Sequence, residues 1–188
     1  RGPPRSYGKA LADGGYDTRI FFAPRLKGRS GWREVGMERR VNESAIEMVQ
    51  QMSHQDANLG GNVHGGVIMK AIDTTAGIVA ARHAGSNVVT ASIDRLDFHS
   101  PVYIGDILRL KASLNYAGRT SMEVGVRVEA ENFISGVVRH TASAYLTFVS
   151  LDAQGRPVRI PGLVLETDEQ RRRNAGAATR RSLRIKRE

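Results

Sequence analysis

The chain has 188 residues, 40% of them hydrophobic, no cysteine and a formal charge of +9; this suits one domain with appendages and excludes disulfides, thiolate catalysis and cysteine-based zinc sites. The charge is uneven, +6 over residues 1–40 and +4 over 165–188 against −1 over 41–164, so the basicity belongs to the two ends. Basic ends can bind polyanions, but a solvated arm is the commoner role, and nucleic acid is not expected as a partner.

Residues 1–40 are rich in Gly, Pro and Arg without a sustained period, with Ile20-Phe21-Phe22 and Trp32 as apolar anchors. They read as an arm, not a domain. Ser44–Ser53 alternates, with Ile46, Met48 and Met52 pointing one way, and predicts a first strand. A polar loop, His54–His64, follows. From Gly65 the period becomes helical: Val67, Ile68, Ala71, Ile72, Thr75, Ala76 and Val79 form one apolar stripe over a helix Gly66–Arg82, with Gly85 as the stop. No apolar run is long enough to span a bilayer.

The next stretch is strands. Val89, Ala91 and Ile93 are expected on one face, after which the apolar phase slips to Leu96 and Phe98, the mark of a β-bulge. Leu108 to Tyr116 and Met122 to Ala130 alternate cleanly around the turn Ala117–Thr120, and Val138–Leu151 reads as a central strand. Thr167-Asp168-Glu169-Gln170 predicts a capping box opening a short helix that Gly176 interrupts, with a frayed Arg-rich end. An antiparallel sheet with one wet face needs its other face covered. The expected fold is therefore α+β: a single domain over 41–164, its antiparallel sheet wrapped around one long central helix, with basic extensions at 1–40 and 165–188.

The chemistry concentrates in Asp56–Asp73, a Gly-rich loop running into the helix. The first-turn N–H groups at Gly65 and Gly66 can bind a developing oxyanion. Asp73, beside the apolar stripe with Gly77 one turn on, can activate water. Asn58 and Asn62 have an ordinary role in Asx turns, and either amide could orient water or a carbonyl. His64 lacks an evident carboxylate to orient it. No metal-ligand spacing and no nucleophile motif occurs. Gly66 and Asp73 are about 10.5 Å apart along a helix axis, too far to serve one reacting carbon. Two antiparallel copies of the helix meeting across a two-fold axis bring the start of one to the middle of the other, so a C2 dimer is expected.

His64-Gly65-Gly66 followed by Asp73 resembles the signature of the hotdog-fold thioesterases. The run Asp56-Ala57-Asn58, Gly61–Gly66, Ile68-Met69-Lys70, with Asp97–Val102, Gly105-Asp106 and Gly118–Ser121, resembles the acyl-CoA hydrolases of the brain-type and bacterial YciA-type branch, over about residues 43–173. The resemblance implies a hotdog fold and hydrolysis of acyl-CoA to free acid and CoA without metal or cofactor. It also implies assembly as homodimers or trimers of dimers. It puts the catalytic pair at Asn58 and Asp73 and oxyanion donors at Gly65 and Gly66. The CoA side falls on the turn Gly118-Arg119-Thr120-Ser121, with Arg119 near a phosphate, and on Asn62, His64 and Arg95; Arg139 is a further candidate. A cytoplasmic location is expected, or a mitochondrial one in a eukaryote. Two alternatives are an enoyl-thioester hydratase, which would rely on His64, and a non-catalytic acyl-CoA-binding regulator.

Overall fold

Alternation along the second half of the chain gives strands with one apolar face each, and those faces close on a single helix. The computed structural model describes residues 38–186. The arm expected over 1–40 thus lies outside the described residues, apart from its last three. Those three form β1 (Glu38–Arg40), followed by α1 (Val41–Ser44), β2 (Ile46–Gln51), α2 (Gly65–Ala84), β3 (Asn87–Phe98), β4 (Ile107–Ala117), β5 (Ser121–Asn132), β6 (Val137–Leu151), β7 (Gly162–Val164) and α3 (Asp168–Ile185). Five strands make one antiparallel sheet in the order β2-β4-β5-β6-β3, while β1 and β7 pair in parallel. That second pairing moves the boundary drawn at residue 40, because Glu38–Arg40 lie against 162–164.

The inner sheet face brings Leu108, Leu110 and Leu114 of β4, Val124 and Val128 of β5, and Leu146 and Phe148 of β6 against Ile68, Ile72, Ala76 and Val79 of α2. Each such large side chain removed from water contributes about 1.5–3 kcal/mol. Small residues, Ala71, Ala76 and Ala80, let the helix lie close to the sheet. The helix ends as expected: Gly85 takes φ 68°, a left-handed cap, and its N–H donates to the Ala81 carbonyl at 2.8 Å.

Two expectations are corrected. Strand β3 has register shifts at both Thr90/Ser92 and Ile93/Arg95, not one slip after Ile93. Val89 stands opposite Val149 and Ile93 opposite Leu146, residues on opposite faces of β6, so Val89, Ala91 and Ile93 do not share a core face. Helix α3 is also continuous through Gly176. A glycine in a helix costs only about 1 kcal/mol, and tertiary contacts exceed that: Ala177 is buried, Asn174 Nδ2 donates to the Asn115 carbonyl at 2.8 Å, and Arg180 and Arg184 bind Glu123 and Asp94 of the sheet at 2.7 and 2.6 Å. The capping box itself forms, with Thr167 Oγ1 accepting the Gln170 N–H and Gln170 Oε1 accepting the Thr167 N–H, both at 3.2 Å.

At the end of α2, His83 is fully buried; its Nε2 lies 3.0 Å from the Pro161 carbonyl and its Nδ1 has no partner. Burial, opposed by the Pro161 contact and assisted by the charge of Arg39, holds its pKa below the usual 6.5. The folded state therefore binds fewer protons than the unfolded one. The stability it contributes is complete above the unfolded pKa and declines as the pH falls through it toward the lower folded value. Calorimetry from about pH 7.5 to 5 should show the melting temperature dropping on acidification. A His83→Gln variant should lose most of that slope; an unchanged slope would clear His83 as its source.

Candidate active site

Backbone hydrogen bonds build the loop before α2 and decide which atoms remain for a ligand. Asp56 accepts from the Ser53 N–H at 2.7 Å and its hydroxyl at 2.8 Å, and these bonds hold its carboxyl below the ordinary range. Asn58 Oδ1 accepts from the N–H groups of Gly60 at 2.8 Å and Asn62 at 3.2 Å. Both acceptor directions of the amide are filled, so the side chain can be placed only one way round. Its Nδ2 has no partner among the described residues and is left as a donor.

His64 is the cap of α2: its Nδ1 accepts the Gly66 N–H at 2.9 Å. A Cβ at Gly66 would sit 3.1 Å from that nitrogen, so glycine lets the ring lie over the first turn. The Gly66 N–H expected to meet an oxyanion is thus occupied, and the Nδ1 of His64 is committed to the cap. Gly65 N–H has no partner among the described residues. With Asn58, Asn62, Ile68, Phe98 and His99 it lines a cleft of about 370 Å³.

Asp73 does not line that cleft. It stands half-buried on α2, with Oδ1 accepting the Thr90 hydroxyl of β3 at 2.7 Å. Gly77 offers less than expected: a Cβ there would touch only Phe148, at an ordinary 3.7 Å.

The β4–β5 turn is closed by Gly118 N–H donating to the Ser121 carbonyl at 2.8 Å, and a Cβ on Gly118 would press that oxygen at 3.1 Å. The Thr120 and Arg119 carbonyls accept from the N–H groups of Ser150 and Ile160. The Arg119 side chain is exposed and has no ion pair among the described residues. Arg95 pairs with Asp97 two residues on. Arg139 is bound to the buried Asp106 at 2.6 Å and stacks on Tyr103. A larger hollow, about 660 Å³, lies on the outer sheet face against α3, lined by Ser113, Gly125, Tyr145, Arg173, Gly176 and Arg180. None of the sequence-selected residues lines it. Among the described residues there is no group of side chains fit to hold a metal ion and no helix long and apolar enough to cross a membrane.

The family described as the thioesterase superfamily matches residues 60–133. An acyl-CoA hydrolase from Staphylococcus aureus, solved with butyryl-CoA, CoA and CoA disulfide, is 38% identical with a TM-score of 0.75, covering 80% of this chain and 92% of that one. The chain belongs to the thioesterase superfamily. A hexameric acyl-CoA thioesterase solved without ligand is 37% identical with a TM-score of 0.77, covering 80% of this chain and 96% of that one. The cytosolic acyl coenzyme A thioester hydrolase of Rattus norvegicus is 38% identical over 135 residues, 71% of this chain. This superfamily member spans only about a third of that relative's length.

The S. aureus protein has also been solved as single-alanine variants of an asparagine, an aspartate 15 positions later and a threonine 17 later still. Asn58, Asp73 and Thr90 stand at the same two intervals. Thr90 and His99 were not singled out in the sequence. No local spacing ties either to the loop or to α2, and only the fold of β3 brings them there.

The capping role of His64 is directly testable. His64→Ala should cost about 1 kcal/mol of stability, read as a lower urea midpoint at unchanged slope. Undiminished stability would remove the cap.

Proposed function

We propose that this chain hydrolyses acyl-CoA to free acid and CoA as a dimer with two equivalent sites. Each site joins the Asn58–Gly65 cleft of one protomer to Asp73 of the partner subunit. One observation carries the proposal: Asn58 and Gly65 line one cleft, while Asp73, held by Thr90 of β3, stands outside it further along the helix that Gly65 begins. The thioesterase fold, the relatives named for acyl-CoA hydrolysis and the matching intervals support it.

The dimer has an edge to form on. Among the described residues β3 ends the sheet with its outer side unpaired, and Val89 and Ile93 are each 43% exposed. The flank of α2 beside it exposes Met69 and Ile78. Assembly of three dimers into a hexamer follows the hexameric neighbour.

The groups have distinct tasks. Thr90 fixes Oδ1 of Asp73, leaving Oδ2 to take a proton from water as it attacks the thioester carbon. Asn58 Nδ2 and Gly65 N–H donate to the carbonyl oxygen as it gains charge. Collapse of the adduct releases the CoA thiolate, which takes up a proton; water supplies the oxygen of the acid, and the reaction balances without a cofactor. Direct attack by the carboxylate would use the same placement. His64, committed to its cap, is a poor base for the hydratase alternative. The unpaired Arg119 at the Gly118–Ser121 turn is assigned to a CoA phosphate. A cytoplasmic location is proposed by analogy with the cytosolic rat relative.

A thiol-detecting assay on acyl-CoAs of graded chain length tests the activity. Asp73→Asn and Asn58→Ala should each lower kcat by about 10²–10⁴-fold. Refolded as a 1:1 mixture, the two inactive proteins should regain roughly a quarter of wild-type turnover, because half the dimers then hold one intact site. No recovery would place both groups in one protomer's site. Arg119→Ala should raise KM for acyl-CoA yet leave a short thioester without the nucleotide unaffected; equal losses on both would dismiss the phosphate contact.

A further inference from the structure

The mechanism leaves unexplained why the last turn of α3 reaches across the outer sheet face to the strand that carries Thr90. Arg184 Nη1 donates to Asp94 Oδ2 at 2.6 Å and lies 2.7 Å from Thr147 Oγ1 of β6. Asp94 also accepts from Ser92 Oγ at 2.9 Å on Oδ1 and from Thr147 Oγ1 at 2.9 Å on Oδ2. Asp94 has no opposing residue in the ladder, because the second register shift falls between Ile93 and Arg95; the first falls between Thr90 and Ser92. The stretch after Thr90 therefore lacks regular pairing to β6 on one side, and among the described residues its other side is the sheet edge. A bulged edge strand has little of its own to hold its register.

We infer that Arg184 is a positioning residue: through Asp94 it pins the double-bulged stretch of β3 to α3 and β6, and so holds Thr90 in place to fix the Asp73 carboxylate. The chain of contacts runs from Arg184 to Asp94, along the three bulged residues Ala91–Ile93 to Thr90, and on to Asp73 Oδ1. α3 is suited to transmit the restraint because it is itself anchored, by Ala177, by Asn174 on the Asn115 carbonyl and by Arg180 on Glu123. Burial would raise the Asp94 pKa, but its bonds to Arg184, Thr147 and Ser92 outweigh that and hold it below the ordinary range, so the bridge is charged at neutral pH. One nitrogen of Arg184 makes both contacts, so a lysine can substitute for it in kind. The inference rests on the proposed thioester chemistry for its kinetic reading but not for its structural one.

The experiment compares Arg184→Ala, Arg184→Lys, Thr90→Ala and the Arg184→Ala/Thr90→Ala double variant on acyl-CoA. Arg184→Ala should lower kcat about five- to fiftyfold with KM within about twofold. Arg184→Lys should retain most of the wild-type kcat. In the Thr90→Ala background, Arg184→Ala should cost less than about twofold, since nothing remains for it to position. An unchanged kcat in Arg184→Ala, or the same loss in both backgrounds, overturns the inference. Hydrogen exchange on Arg184→Ala gives a second readout: amides of residues 87–98 should exchange at least about tenfold faster while 107–132 stay protected. Unchanged exchange in 87–98 overturns it as well. If Arg184→Ala does not fold, Asp94→Asn is measured in its place with the same expectations. If the wild-type protein releases no thiol, the proposed function falls by itself, and hydrogen exchange alone decides whether Arg184 pins β3.

Discussion

An α-helix rises about 1.5 Å per residue, and that rise governs what α2 can do. Its first free N–H, at Gly65, and its carboxylate, at Asp73, are eight residues apart and so about 12 Å apart along the axis. Water and carbonyl must meet within hydrogen-bonding distance of both a donor and a base. A single helix of this sequence offers one or the other. The sheet covers only one side of α2, and Lys70, Met69, Thr74 and Ile78 are left on the exposed side. Asp73 and Gly77 lie half-buried between the two sides. In the proposed dimer this carboxylate is the group offered to the partner's cleft, and the edge of β3, unpaired among the described residues, adjoins it.

The loop before α2 divides its atoms between structure and chemistry in the same economical way. Asn58 uses its oxygen to fold the loop and leaves its nitrogen free. His64 uses its ring to cap the helix, which takes the Gly66 N–H out of reach and leaves the one at Gly65. These commitments fix direction at two residues: Asn58 Nδ2 and the Gly65 N–H remain as donors beside the cleft. Such an array suits an oxygen gaining negative charge.

Much of this was legible in the sequence. β4 and β5 could be read because each has one dry and one largely wet face: Met122–Ala130 alternates without a break, and the run read from Leu108 to Tyr116 holds as far as Leu114, where a register shift against β5 breaks it before Tyr116. α2 could be read because its stripe is long and Gly85 ends it. β3 could not: two extra residues exchange its faces between Thr90 and Arg95, and the pattern Val89, Ala91, Ile93 looks regular only until the partner strand is known. The cap of α2 was hidden because a histidine does the work usually given to Ser, Thr, Asp or Asn. Thr90 was hidden because its partner is 17 residues away on another kind of element. Asn58 and Gly65 meet in one cleft because backbone bonds fold the loop back on itself, the His64 N–H donating to the Asp56 carbonyl at 2.8 Å and the Asn58 N–H to the Asn62 carbonyl at 2.7 Å.

The basic C-terminus shows where counting charge by segment misleads. Residues 165–188 look like a cationic tail beside a near-neutral domain. In the fold, Arg180 bonds both oxygens of Glu123 and lies 3.7 Å over the Tyr145 ring, and Arg184 bonds Asp94. The side chains of Glu123 and Asp94 are only 5% and 11% exposed. A carboxylate so placed is costly without its partner, so the strands need the arginines as much as the helix needs a surface. The charges of tail and sheet are two halves of one closure, which covers the part of the outer sheet face around Asn115, Glu123 and Asp94. A strand at the unpaired edge is then held from both faces, by Asp73 on one and by Arg184 on the other, and its bulges, which would otherwise loosen it, become the place where both grips are taken.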